Sequence, residues 1–242
     1  CLSLANKIDD IVGAFLTGKK PTGSKDPYGL RRAALGIIRI LLENKIDFNL
    51  YKVLSYSSSL YVHESSKKKY IIDEISTFIT VRMVVYFQSI GITQDFINSV
   101  IKIDELNPYI TFHKSKSLSM FMNNKKGQNF LASYKRIDSI LKDSVSKNNI
   151  RKSELCDKYE KELYDKVNEI RNKIEKLNLN KNLDEGLKYI CELTPLINLF
   201  FENVKVNVDD ELKRKNRIAL LTFSINTSNQ LCNFSKLKDS DE

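Results

Sequence analysis

The chain has 242 residues, with 39 Lys and Arg against 30 Asp and Glu, and a formal net charge of +9 at pH 7. This length supports one large or two medium domains with buried cores, and the charge favours anionic partners, among which RNA is the commonest large one. Its four cysteines are scattered without a C-x-x-C spacing, which argues against a disulfide framework or a zinc site and favours reduced thiols. No apolar run is long enough to span a bilayer.

The start of the chain lies inside a helical pattern. Leu4, Ile8, Ile11 and Phe15 recur at helical spacing directly after Cys1, without a cap or a turn before them. We therefore expect the chain to be cut from a longer one. A processed N-terminus is less favoured, because no targeting segment is visible.

Spacings of three and four between apolar residues dominate, and proline and glycine are scarce, so the chain is predicted to be all-α. Asp26 is predicted to cap a helix whose first residue is Pro27 and which runs to about Asn44. Further helices are predicted around 49–60 and 72–90, after Thr93, and from Pro108. The lysines at 67–69 are interpreted as a charged break between helices.

A boundary is predicted near 123–127, where Asn, Lys and Gly cluster. The longest apolar stripe then extends from Leu155 to Leu177, and Pro195 is expected to interrupt a later helix. The acidic turn at 209–211 suits the start of the last helix. The residues expected to face inward on that helix are Leu212, Asn216, Ala219, Leu220 and Phe223.

The first half resembles one family. The stretch from Ala5 to Glu43 reads ANKIDDIVGAFLTGKKPTGSKDPYGLRRAALGIIRILLE. It is similar to the beta subunit of the bacterial heterotetrameric glycyl-tRNA synthetase, which carries a P-T-G-x-x-D-P-[FY]-x-L-R-R-A-x-x-G segment. The region EISTFITVRMVVYFQSIGITQDFINSVI, which begins at Glu74, resembles the same subunit.

The second half resembles the helical anticodon-binding domain called DALR, which arginyl-tRNA synthetases and this beta subunit share. The resemblance rests on SYKRIDSILKDS from Ser133, on FFENVKVNVDDELKRKNRIALL from Phe200, and on the closing NFSKL from Asn233. The sequence departs from the motif that gives the domain its name, since Leu212 replaces its alanine and Lys213 its leucine.

These resemblances imply an all-α fold: a helical body, made of the tail of an HD-like domain and a helical segment, followed by a DALR-type helical bundle. The implied division is 1–60 for the end of the HD-like domain with connecting helices, 61–126 for the helical body, and 127–242 for the anticodon-binding domain. The aspartate that HD-type phosphohydrolases carry on their closing helix corresponds to Asn6 here, and His63 and His113 have no paired aspartate. No metal site and no catalytic residue are therefore expected.

The resemblance also implies a role. The whole enzyme joins glycine to tRNA(Gly) using ATP with Mg, and it pairs two beta subunits with two alpha subunits in the cytoplasm. The aminoacylation site belongs to the alpha subunit, so this chain is expected to hold tRNA without a cofactor of its own and without a membrane. The basic residues predicted to contact tRNA are Arg31, Arg32, Lys135, Arg136, Lys213, Arg214, Lys215 and Arg217.

Structural alternatives stand beside these assignments. Asn216 and Arg217 are slightly better explained as residues that tie the last helix to its domain. Arg31 and Arg32 could instead pair with Asp9, Asp10 or Glu43. The tyrosines of the second half, Tyr134 and Tyr159, are expected in the core rather than under RNA bases. As a whole, the chain could instead be a helical scaffold for subunit assembly without anticodon readout, using Ile71 to Ile103.

Overall fold

The structure is a computed structural model that describes residues 1–23, 25–61, 65–142 and 150–238, with the side chains of 65–68 outside that description. Over these ranges every long element is an α-helix, and strand pairing is limited to an isolated bridge between Thr22 and Lys25. The predicted all-α class is confirmed. None of the helices in these ranges combines the length and apolarity that crossing a bilayer requires.

The chain divides into two compact units, Cys1–Lys116 and Ser117–Glu242, and the division falls within one helix. The finer division into 1–60, 61–126 and 127–242 stays a prediction. The helices of the first unit are α1 (Leu2–Leu16), α2 (Leu30–Glu43), α3 (Leu50–Ser59), α4 (Ser65–Ser89), α5 (Gln94–Val100) and the start of α6 (Pro108–Met122).

The core of the first unit forms where α1, α2 and α3 pack around α4. α2 follows its predicted apolar face, since Leu30, Ala34 and Leu41 are all buried. The rings of Phe15 and Phe78 join α1 to α4 with centroids 5.4 Å apart. Burial of this continuous apolar face, rather than helix propensity, is what stabilises the unit.

α2 begins three residues later than predicted. Asp26 does act as a cap, because its carboxylate accepts hydrogen bonds from the backbone N–H groups of Leu30 at 2.8 Å and Arg31 at 3.0 Å. However, the residues between form a turn that ends at Gly29, whose φ of 66° lies in the left-handed region that glycine adopts without strain. Pro27 therefore belongs to this turn, and its assignment as the first helical residue is wrong.

The charged break predicted at 67–69 is also wrong, because α4 passes through these positions without interruption. Lysine is among the better helix formers, so a run of lysines does not by itself end a helix.

The second unit contains α7 (Lys125–Lys142), α8 (Lys158–Glu175), α9 (Leu183–Cys191), α10 (Leu193–Asn203) and α11 (Glu211–Asn229), with short 3-10 turns at Lys152–Glu154 and Phe234–Lys236. α10 packs against α7 and α8, and α11 packs against the same two helices.

Three rings centre this core: Phe130, Tyr134 and Phe234 are buried, and Phe234 lies 5.2 Å from Phe130 and 5.5 Å from Tyr134 by ring centroid. The core location predicted for Tyr134 is confirmed. One inward assignment on α11 is wrong, because Leu212 is 55% exposed. Leu212 lies in the first turn of α11, whereas the buried side chains of that helix begin at Asn216.

Candidate nucleic-acid interface

The basic run of the second unit lies at the N-terminal end of α11. The carboxylate of Asp210 caps this helix by accepting hydrogen bonds from the backbone N–H groups of Leu212 and Lys213, both at 3.1 Å. The hydrogen bond from the Lys213 amide is the main cause that holds the pKa of Asp210 below its ordinary value. Because the cap fixes where the helix begins, it also fixes the side of α11 on which each later basic residue lies.

Lys213 and Lys215 lie near the surface of this helix end. Lys213 Nζ is 3.4 Å from Asp210 Oδ2, and Lys215 Nζ is 2.6 Å from Glu211 Oε1. Both lysine side chains are nearly half exposed, so water competes for these ion pairs and they contribute little. A phosphate that approaches can therefore replace the carboxylates as the partner of either lysine.

Arg217 points the other way, into the second unit. Its Nε donates to Glu160 Oε1 at 2.5 Å, and one of its terminal nitrogens donates to the carbonyl of Lys205 at 2.8 Å. The two charged side chains are only 13% and 3% exposed. Glu160 also accepts hydrogen bonds from the backbone N–H groups of Cys156 and Asp157, so the pair ties α11 to the start of α8. These contacts support the structural alternative for Arg217, and its predicted contact with tRNA stays a prediction.

Asn216 also ties α11 to the rest of the second unit. Its side chain accepts a hydrogen bond from the backbone N–H of Arg151 at 2.8 Å and donates one to the carbonyl of the same residue at 3.1 Å. Asn216 is buried, and these two hydrogen bonds give both its amide oxygen and its amide nitrogen a partner. It therefore holds the segment before α8 against α11.

The second basic pair, Lys135 and Arg136, lies on α7. Lys135 is half-buried, whereas Arg136 is exposed. The guanidinium carbon of Arg136 lies 4.2 Å from the ring centroid of Phe201 on α10, which is stacking distance. This stack holds a flat cationic group at the surface, and a flat cation on an aromatic ring is a surface on which an unpaired base can stack.

The end of α7 and the start of α11 border one cleft. Its volume is about 660 Å³, and it is lined by Ser139, Ile140, Asn207, Val208, Asp209, Glu211 and Arg214. Arg214 is exposed and belongs to the α11 run. Of the predicted basic residues, Arg214 lines this polar cleft, beside the carboxylates of Asp209 and Glu211, whereas Lys135 and Arg136 lie about one turn before its α7 edge.

Arg31 and Arg32 belong to the first unit. Arg31 donates to the carbonyl of Gly23 at 2.5 Å and to that of Lys25 at 3.5 Å, so it closes the loop before α2. Among the described residues, neither Arg31 nor Arg32 forms an ion pair with Asp9, Asp10 or Glu43. Asp9 accepts from the hydroxyl of Tyr61, Asp10 from the amide of Asn6, and Glu43 pairs with Arg39.

Sequence reasoning missed Phe201 and Glu160. The sequence offered a weak signal for Phe201, because adjacent residues on a helix point about 100° apart; Phe200 is buried and Phe201 is half-exposed. The pairing of Glu160 with Arg217 had no such local signal. No three His, Cys, Asp or Glu side chains are grouped to hold a metal ion in the part of the chain that the structure describes, and His63 lies outside that part.

The second unit is a set of packed helices with basic side chains at the surface of α7 and α11. Residues 130–231, which cover most of this unit, match the family model of the DALR anticodon binding domain. The second unit is therefore an anticodon-binding domain by class.

The first unit identifies the family more closely. Residues 1–102 match the family model described as glycyl-tRNA synthetase beta subunit. Over 98% of its length the chain is 35% identical to glycine–tRNA ligase beta subunits from Sulfurihydrogenibium sp. (strain YO3AOP1) and Rickettsia prowazekii (strain Madrid E), and 30% identical to that of Persephonella marina. It covers 32%, 34% and 35% of these relatives, about a third of their length. The chain belongs to the glycyl-tRNA synthetase beta subunit family.

Proposed function

We propose that this chain is a tRNA-binding part of a glycine–tRNA ligase and that its second unit holds the anticodon end of tRNA(Gly). The observation that carries the proposal is the basic run Lys213–Lys215 at the surface of α11, and the cationic contact of Arg136 with the Phe201 ring on α7 and α10 supports it. The net charge of +9 supports it, since a polyanion is drawn to such a chain from a distance.

Each of these groups on α7, α10 and α11 has a separate task in this proposal. The stack of Arg136 on Phe201 receives an unpaired anticodon-loop base, because every base has a flat face and an unpaired base is free to stack. Arg214, Lys213 and Lys215 bind backbone phosphates, which gives affinity and register without reading sequence. Arg217 acts indirectly, since its pair with Glu160 holds α11 in place.

The chemistry of the ligase is proposed to lie outside this chain. Glycine activation with ATP and Mg is assigned to the alpha subunit, and the partners proposed for this chain are tRNA(Gly) and that subunit in a heterotetramer in the cytoplasm. The beta-subunit names of the relatives support a partner subunit. We propose that this chain contributes by binding and positioning tRNA rather than by a catalytic side chain.

The test is the salt dependence of binding to a tRNA(Gly) transcript. Arg214→Gln and the double variant Lys213→Gln/Lys215→Gln are compared with Arg171→Gln, which removes the same charge from an exposed α8 pair with Glu175. Each lost phosphate contact should reduce the slope of log K against log salt by about 1. Arg171→Gln should leave the slope unchanged.

The stacking assignment is tested separately. Phe201→Leu should weaken binding by about tenfold, because stacking of one base contributes about 1–3 kcal/mol. If the Arg214, Lys213/Lys215 and Phe201 variants all bind the transcript as Arg171→Gln does, the cleft is not the tRNA-binding site. The chain would then be better explained as an assembly scaffold.

A further inference from the structure

The first unit contains a cavity whose wall is rich in arginine. It lies between α2 and α4, has a volume of about 280 Å³, and is lined by Arg31, Arg32, Leu35, Arg82, Val85 and Tyr86, among others. None of the described residues in its wall is acidic. We call it the arginine cavity. It concentrates positive charge that its own wall does not neutralise.

Arg82 carries a buried hydrogen-bond donor for which the described residues supply no acceptor. Its side chain is half-buried, and its Nε is buried without a hydrogen-bond partner. The guanidinium carbon of Arg82 lies 5.9 Å from the ring centroid of Phe78, and this ring has no oxygen that could accept a hydrogen bond. A buried N–H without an acceptor is rare and unfavourable in a folded protein, and an oxygen that entered the cavity would satisfy it.

Arg31 is held in place without losing its charge. The carbonyls of Gly23 and Lys25 accept hydrogen bonds from Arg31, and since carbonyls are neutral, the positive charge stays uncompensated. Arg32 lies close to the first turn of α2, where a Cβ on Gly29 would be only 3.1 Å from one of its terminal nitrogens.

We propose that the arginine cavity binds a backbone phosphate of RNA, with Arg32 and Arg82 as the binding residues and Arg31 as a fixed positive charge beside them. The planar guanidinium donates two parallel hydrogen bonds, which match two oxygens of one phosphate. The carbon atoms of Leu35 and Val85 give the cavity an apolar side that suits the sugar next to the phosphate.

RNA is the occupant that the observations favour, because a chain of net charge +9 that also carries the basic run Lys213–Lys215 on α11 is suited to a polyanion longer than one phosphate. The inference rests on the proposed tRNA-binding function and adds a contact in the first unit to it. An acidic protein segment and a free phosphate have related chemistry, and the experiment below separates them.

The experiment measures the affinity of the whole chain for a tRNA(Gly) transcript across a salt series, with variants Arg32→Gln and Arg82→Gln. The matched control is Arg39→Gln, which removes the same charge from the exposed face of α2, where Arg39 pairs with Glu43. We expect each cavity variant to lower the salt slope, and the double variant to lower it by about 1 and to bind about tenfold more weakly, whereas Arg39→Gln behaves as the unaltered chain. Thermal melting should show that both cavity variants stay folded.

The outcomes separate this inference from the proposed function. If the Arg214 and Phe201 variants lose affinity but Arg32→Gln and Arg82→Gln match Arg39→Gln, the arginine cavity is not an RNA contact and the inference is wrong. If the unaltered chain does not bind the transcript at all, both proposals fail. Inorganic phosphate and a polyglutamate peptide serve as competing probes. The double variant could lose binding of one of these probes while its affinity for tRNA stays unchanged. Such a loss for inorganic phosphate would assign the cavity to a free anion, and such a loss for polyglutamate would assign it to an acidic protein. Either result would overturn the inference.

Discussion

The buried pair of Arg217 and Glu160 gives the sharpest test of how the anticodon-binding unit is held together. Arg217→Gln leaves the Glu160 carboxylate buried at 3% exposure without its cation. Breaking a buried pair by removing one partner costs about 3–5 kcal/mol. Glu160 keeps its hydrogen bonds from the Cys156 and Asp157 amides, at 2.9 and 3.1 Å, so the lower end applies. Adding the lost bond to the Lys205 carbonyl, we expect a loss of about 3–4 kcal/mol.

For a unit of this size that loss should lower the melting temperature by about 10–15 °C, measured by circular dichroism. The control is Arg171→Gln, whose exposed pair with Glu175 should hardly affect stability. A double-mutant cycle with Glu160→Gln should give a coupling of about 2 kcal/mol. A loss below about 1 kcal/mol in Arg217→Gln, or a loss of tRNA affinity in a variant that melts normally, would refute the structural role assigned to Arg217.

Three further predictions concern the second unit. Gly127→Ala should unfold it or lower its melting temperature strongly, because the new Cβ would lie 2.2 Å from the carbonyl oxygen of Phe121, and a melting curve measures this. Asn216→Ala should cost about 1–3 kcal/mol in urea unfolding, because both backbone groups of Arg151 lose their partner. Burial raises the pKa of the Tyr134 hydroxyl to about 12 in the folded protein. In the unfolded chain this hydroxyl has a pKa near 10, so it loses its proton first there. The free energy of unfolding should therefore keep its full contribution from Tyr134 below pH 10 and fall by about 2 kcal/mol by pH 12. Tyr134→Phe should flatten that fall, and an unchanged slope in Tyr134→Phe would contradict the assignment.

The sequence predicted the helices well wherever apolar spacing or a local cap defines them. Asp210 does cap the last helix, and Pro108 does begin one. The errors came where local signals compete. Asp26 caps α2 from the far side of a turn that ends at Gly29, so the helix begins later than the cap suggests. The lysines at 67–69 resemble a loop in composition, although lysine favours helices and α4 continues through them.

The candidate site was predictable in part. Lys213 and Lys215 were expected at the surface and lie there, because lysine is costly to bury. What sequence reasoning could not supply was the set of long-range partners. Glu160 beneath Arg217 and the ring of Phe201 beneath Arg136 are joined only by the packing of α7, α8, α10 and α11, which no local pattern encodes.

The central claim is that the second unit holds the anticodon end of tRNA(Gly). The most direct test compares binding of this chain to a tRNA(Gly) transcript and to the same transcript with a replaced anticodon, at moderate salt. We expect tighter binding to the native anticodon, with that preference lost in Phe201→Leu and kept in Arg171→Gln. Equal binding of both transcripts by the unaltered chain would contradict anticodon recognition and leave only a basic surface that binds RNA without reading it.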